Sequence, residues 1–207
     1  MPSEFSQSRP VIRRLGRAEY EPTWRAMQSF TEGRLADTPD ELWLLEHPPV
    51  FTLGQAGKRE HLLADIGVPV VAIDRGGQVT YHGPGQVVVY VLLDLRRRGY
   101  GVKELVNRLE QAVIDLLAGF GVEAVRLQGA PGVYVNGAKI AALGLRIKNG
   151  RSYHGLSLNV DMDLAPFSAI NPCGYQDLAV TQTRDLGIAS SPTEMGEALL
   201  ERLQAVL

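Results

Sequence analysis

One cysteine, Cys173, occurs in 207 residues. No disulfide can close within the chain, which fits a reducing compartment. Long apolar runs are missing too. Nothing approaches the ~20 residues that span a bilayer, and the opening MPSEFSQSRPVIRRLG lacks the apolar core of a secretory signal. The expectation is a cytoplasmic protein with no membrane contact. One-sided charge is absent, with 21 basic against 23 acidic residues and a net charge of −2. The densest basic cluster, Arg96-Arg97-Arg98, reads as a solvated turn rather than a nucleic-acid patch. Close-spaced metal ligands are absent as well: His82, His154 and Cys173 stand far apart, with no CxxC or HxxxH, so no metal is expected. Neither GxGxxG nor GK[ST] occurs, which leaves nucleotide binding without a motif. Repeats, low-complexity tracts and linkers are lacking. A single domain over 1–207 is the expectation, with 1–10 as a loose tail.

What is present centres on Asp74 to Leu95, DRGGQVTYHGPGQVVVYVLLDL. The run Val87 to Leu93 is β-branched, aromatic and almost unbroken, as in a central strand covered on both faces. Gly76-Gly77 and Gly83-Pro84-Gly85 exclude a helix before it. A buried strand entered through a glycine-rich loop, with Arg75 and His82 at its rim, suits a ligand floor. A pair of tight turns feeding a core strand is the plainer alternative.

Elsewhere, apolar residues at helical spacing predict helices over 18–31 (Tyr20, Trp24, Met27, Phe30) and 102–117. Short strands are expected over 42–45, 50–53 and 68–73, and a loop or single helical turn over 58–63. Asn136-Gly137 and Asn149-Gly150 are type I′ hairpin signals, because both central positions of that turn need φ > 0. They predict strands near 132–135, 138–147 and 152–160. An ordered loop follows over 161–175. Ser191, Pro192 and Glu194 form a capping box with proline at the first helical position, opening a last helix. Hairpins dominate, and strands do not alternate regularly with helices. The predicted class is therefore α+β, with a mixed, largely antiparallel sheet flanked by helices.

Three stretches carry groups able to do chemistry. Cys173 sits between Pro172 and Gly174, on a tight turn that ill suits a core filler. A thiol attacks as the thiolate and needs a cation or base to lower its pKa from about 8.5. Lys139, His82 and His154 are the candidates, and a structural loop cysteine is the alternative. Lys139 is the only charge between Gly137 and Leu145. It either snorkels to water, the ordinary outcome, or is held in a pocket where desolvation makes it a usable base. The small residues in Tyr153-His154-Gly155-Leu156-Ser157-Leu158-Asn159-Val160 let a ligand approach the backbone closely, or simply pack a sheet.

The segments Arg75 to Gln86 (RGGQVTYHGPGQ), Gly137 to Ala141, Tyr153 to Leu156 and Ile170 to Gly174 together resemble the motifs of the lipoyl(octanoyl) transferase family, in matching order over roughly 38–178. The resemblance implies a fold similar to biotin and lipoate protein ligases. It also implies an acyltransferase that moves octanoyl from acyl carrier protein to a lysine of lipoyl domains, in 2-oxo acid dehydrogenase E2 subunits and glycine cleavage H protein. Cys173 would be the acyl-thioester nucleophile, with Lys139 lowering its pKa and acting as base and then acid. Arg75, Gly76, Gly77, Gln78, Val79, Thr80, Tyr81 and His82 would line the acyl and phosphopantetheine site. Ala142, Leu143 and Gly144, with Gly155, Leu156 and Ser157, would complete it, and His154 could support it. No cofactor is implied beyond the phosphopantetheine that carries the substrate. Arg96, Arg97, Arg98, Arg146, Lys148 and Arg151 are candidates for a basic rim facing acidic carrier domains, each with ordinary surface charge as the alternative. An ATP-dependent ligase and a non-catalytic acyl-binding protein are the competing functions.

Overall fold

The computed structural model describes residues 9–171 and 178–207. Its main sheet has seven strands in the order β1-β2-β6-β10-β9-β8-β7. These are β1 (Val11–Arg17), β2 (Glu41–Glu46), β6 (Gln86–Leu92), β7 (Val125–Leu127), β8 (Ala130–Val135), β9 (Ala138–Lys148) and β10 (Arg151–Asn159). The β1–β2 pair is parallel and the other pairs are antiparallel. A second sheet of three strands, β4-β3-β5, stands beside it. It contains β3 (Val50–Leu53), β4 (Val70–Ala72) and β5 (Val79–His82). The architecture is mixed α+β with largely antiparallel pairing, as the hairpin signals predicted.

The centre of the main sheet is β6, which is buried along its whole length. Successive side chains of a strand point to opposite faces. Val87, Val89 and Val91 accordingly meet α3 (Val102–Ala118) and α4 (Pro192–Val206) on one face, through Leu105, Leu109, Val113, Met195, Leu199 and Leu203. Val88, Tyr90 and Leu92 meet α1 (Tyr20–Gly33) on the other, through Met27. Two covered faces explain why the sequence shows an unbroken apolar run rather than an alternating one. Each buried Val or Leu side chain contributes about 1.5–3 kcal/mol relative to exposure.

The turns obey local chemistry. Asn136 and Gly137 have φ of 49° and 82°, and Asn149 and Gly150 have 53° and 78°. Both pairs thus occupy the left-handed region that a two-residue hairpin demands. At the start of α4, Ser191 accepts from the Glu194 backbone while the Glu194 carboxylate accepts from the Ser191 backbone.

Several parts of the sequence reading need correction, among them the short strands β5 and β7, which it does not predict. The edge strand β1 was not anticipated. Its side chains are almost all exposed, so it leaves no hydrophobic period, and only its backbone pairing to β2 makes it a strand. Arg97 and Arg98 are not solvated. They lie in α2 (Leu95–Arg98) and converge with Arg34 on the buried Asp40 carboxylate, at 2.7 Å for Arg97 and 2.5 Å for Arg98. A buried carboxylate must be paired, and Asp40 lies too far away in sequence to reveal its partners.

Candidate active site

The predicted stretches meet because of strand register. In the β9–β10 ladder Ala142 faces Ser157, Leu143 faces Leu156, and Gly144 faces Gly155. Gly155 also pairs with Tyr90 of β6. A Cβ on Gly155 would stand 2.0 Å from the Val89 carbonyl oxygen, so only glycine lets β10 lie this close to β6. The residue before it, His154, takes φ of +59° inside the strand. That conformation is rare for a residue of this size and is held only where surroundings over-determine it.

The loop after β4 docks on this ladder. Gly76 N–H donates to the Leu145 carbonyl at 2.9 Å. A side chain at Gly144 would meet Arg75 Cδ at 2.9 Å, so a bare backbone is what admits the loop. The Arg75 guanidinium is engaged in holding it. It donates to the Thr52 carbonyl (2.7 Å), Thr52 Oγ1 (3.0 Å), the Gln78 carbonyl (2.8 Å) and the Gly76 carbonyl (2.9 Å).

Between loop and ladder lies a cleft open to solvent. Of the residues singled out from sequence, Arg75, Gly77, Gln78, Val79, Thr80, His82, Ala142, Leu143, Gly144, His154, Gly155, Leu156 and Ser157 line it. Gly76 borders a neighbouring groove that shares Gly77, Gln78, Leu143 and Gly144 with the cleft. Tyr81 turns the other way, its ring 5.5 Å from the rings of both Phe51 and Phe167.

Lys139 does not snorkel. It is 4% exposed, and its Nζ donates to the Pro131 carbonyl at 3.2 Å and lies 5.2 Å from the Tyr134 ring centre. It lines a small cavity with Thr80, Gln86, Ala142, Ser157 and Asn159, three of which (Thr80, Ala142 and Ser157) also border the cleft. Its backbone holds the segment after the candidate nucleophile: Lys139 N–H donates to the Ala179 carbonyl at 2.8 Å, and Thr181 N–H donates to the Lys139 carbonyl at 3.0 Å. Cys173 itself lies outside the described residues.

A polar shell missed in the sequence reading underlies the cleft. Asp74 accepts from Trp24 Nε1 (2.8 Å), Gln28 Nε2 (3.1 Å), His154 Nε2 (2.9 Å) and the Tyr153 hydroxyl. Partial burial alone would raise its pKa, but the bonds from His154, Tyr153, Trp24 and Gln28 outweigh it and hold the carboxyl well below the usual range. Burial pushes the His154 pKa down despite Asp74. His47, read from sequence only as part of a strand stop, is fully buried between the Ala18 carbonyl and the Tyr90 hydroxyl, each at 2.6 Å. Burial lowers its pKa to about 4. His82 is lowered to about 3 by burial and then by His47. Tyr20, which borders the cleft, has its pKa raised by burial. The cleft is thus floored by uncharged His82 and His154 rings beside the Arg75 guanidinium, with the Asp74 carboxylate beneath, and walled by apolar and small residues. Such a surface is suited to an acyl chain with a few oriented polar contacts.

Residues 19–204 match the lipoyl protein ligase A/B catalytic domain family. An octanoyltransferase from Thiobacillus denitrificans is 71% identical over 95% of this chain and 90% of its own length. One from Aromatoleum aromaticum is 68% identical over 95% and 85%. Among solved structures, lipoate-protein ligase A bound with ATP superposes with a TM-score of 0.77 at 15% identity, over 96% of this chain and 85% of that one. Biotin protein ligase from Aquifex aeolicus, in complex with biotin and ATP, superposes with 0.58 at 12% identity, over 94% and 69%. The structural likenesses show the shared fold. The family match and the curated relatives establish that this chain belongs to the lipoyl protein ligase A/B catalytic domain family, among its octanoyltransferases, and is an acyltransferase.

Proposed function

We propose that this enzyme transfers octanoyl from octanoyl-acyl carrier protein to a lysine of lipoyl domains in 2-oxo acid dehydrogenase E2 subunits and glycine cleavage H protein, through an acyl thioester on Cys173. The observation that carries the reading is Lys139. A buried lysine lines a small cavity that shares Thr80, Ala142 and Ser157 with the apolar cleft, and its own backbone pairs with Ala179 and Thr181, a few residues after Cys173 in the chain.

Lys139, in its uncharged form, takes the proton of Cys173. The thiolate attacks the thioester carbonyl, the bond to the carrier's sulfur breaks, and Lys139 returns the proton to that departing sulfur. In the second half, the acceptor lysine's amine attacks the acyl-Cys173 carbonyl. The amide forms, the carbon–sulfur bond to Cys173 breaks, and Lys139 passes the amine's proton to the leaving thiolate. Two carriers use one site in turn, which is ping-pong kinetics. The acyl group arrives activated, so neither ATP nor a resident cofactor enters the steps. Val79, Ala142, Leu143 and Leu156 in the cleft wall would bury the acyl chain, at about 0.8 kcal/mol per methylene.

Intact mass spectrometry after incubation with octanoyl-acyl carrier protein, without ATP, tests this. One added octanoyl group that is absent in Cys173→Ala is expected. A folded protein without an adduct, or a Cys173→Ala variant that still modifies its acceptor, would sink the mechanism.

A further inference from the structure

The hydrogen bonds beneath the cleft determine which imidazole nitrogen of His82 carries its proton. Two backbone carbonyls, which can only accept, set the direction of the chain. Asn159 Nδ2 donates to the Thr181 carbonyl at 3.0 Å, which leaves Asn159 Oδ1 as an acceptor toward Gln86. Gln86 Nε2 donates to that Oδ1 at 2.9 Å and to the Tyr81 carbonyl at 3.2 Å. Flipping either amide would set oxygen against oxygen, at Thr181 or at Tyr81. Gln86 Oε1 must therefore be the atom that faces His82 Nδ1, at 2.7 Å, and Nδ1 must carry the hydrogen. The opposite edge of the ring, Nε2, hydrogen-bonds to no described residue, and His82 lines the cleft. The chain's far end is tied to Lys139, whose carbonyl receives the Thr181 N–H.

We infer that Thr181, Asn159 and Gln86 are positioning residues that lock His82 in its Nδ1–H tautomer, so that Nε2 meets the substrate as a fixed acceptor for an N–H group. This rests on the cleft being the acyl-transfer site. The N–H belongs either to an amide of the arm that carries the thioester or to the amine of the acceptor lysine. The depressed basicity of His82 suits this role, because a neutral ring stays an acceptor at any working pH, whereas a protonated ring would offer only donors.

The first measurement is the long-range ¹H–¹⁵N spectrum of histidine-labelled wild-type protein, with His82→Asn assigning the signals. A protonated Nδ1 and a bare Nε2 are expected, and the opposite tautomer overturns the proposal. The second is the rate of each half-reaction in Gln86→Leu: acylation by octanoyl-carrier protein, and transfer from octanoyl-enzyme to a lipoyl domain. Loss of one oriented hydrogen bond should slow one of them about tenfold. A loss in acylation assigns the thioester arm and a loss in transfer assigns the amine. Both rates within about twofold of wild type, with the tautomer lost, would overturn the role.

Gln86→Glu separates positioning from mere packing. One carboxylate oxygen at Nδ1–H raises the basicity of His82, whose other charged or titratable neighbours are His47, Tyr20, Arg75 and His154. The second oxygen faces the Asn159 and Tyr81 oxygens that Gln86 Nε2 bridges in the wild type, so folding of this variant is verified first. Protonation at Nε2 then abolishes the acceptor, so a new loss of activity toward acid is expected, and its absence in a folded Gln86→Glu protein whose His82 does titrate counts against the proposal. The tautomer measurement needs no acyl-enzyme. If wild type never forms the Cys173 adduct, the proposed reaction fails alone. If wild type and Gln86→Leu form and discharge it equally well, this inference fails alone.

Discussion

Replacing Asp74 with alanine removes one carboxylate and strands four donors. His154 Nε2 is buried, and Trp24 Nε1, Gln28 Nε2 and the Tyr153 hydroxyl are partly so. A hydrogen bond is worth about 0.5–1.5 kcal/mol net, and more when one partner is charged. Four bonds would give roughly 4 kcal/mol on that scale. The Asp74 side chain is 25% exposed, so water replaces part of what is lost, and about 2–4 kcal/mol is the expected destabilisation. The loss should carry a pH signature. The folded-state pKa of Asp74 lies below its unfolded value, so its stabilisation is complete above the ordinary carboxylate pKa and disappears as pH falls through the depressed one. The gap between wild type and Asp74→Ala should therefore be widest near neutrality and narrow below about pH 4. Urea unfolding followed by tryptophan fluorescence, repeated from pH 7 downward, reads both effects. A variant within about 0.5 kcal/mol of wild type at pH 7, or a gap that widens toward acid, would refute the assignment of Asp74 as the anchor of His154 and of the strained strand around it.

Lys139→Met should leave the fold intact and slow alkylation of Cys173 by iodoacetamide. An unchanged rate and pH profile would remove Lys139 from the chemistry. Gly155→Ala places a methyl group 2.0 Å from the Val89 carbonyl, so a loss of about 2–3 kcal/mol is expected by thermal unfolding, and an unchanged Tm would show that β10 and β6 can separate freely. Asp40→Ala leaves Arg34, Arg97 and Arg98 buried without their shared carboxylate and should cost about 3–5 kcal/mol. A denaturation midpoint close to wild type would mean that water reaches these guanidinium groups.

Local chemistry was enough to read much of this protein from its sequence. The two Asn-Gly pairs specify hairpins because few other residues accept φ > 0 twice in succession. The covered strand β6 shows in its unbroken apolar run, and α3 and α4 show in their stripes and in the Ser191 cap. Of the cleft-lining stretches, 153–160 stands out because small residues interrupt an apolar strand and 75–85 because glycines break the approach to β6, whereas the roles of 75–82 and 142–144 came from the resemblance to the transferase family. Four groups were not legible. Edge strand β1 has no buried face and therefore no period. Arg97 and Arg98 looked solvated because Asp40, more than fifty residues away, is what buries them. Asp74 carries no local signal of its role, since its four donors come from α1 and β10. Whether Lys139 reaches water or is held inside depends on β8, which packs the Pro131 carbonyl and the Tyr134 ring against it. Local rules fix backbone conformation and burial pattern within a few residues. The partner of a buried charge or the tautomer of a histidine depends on groups brought together only by strand order, and so only the tertiary structure decided them.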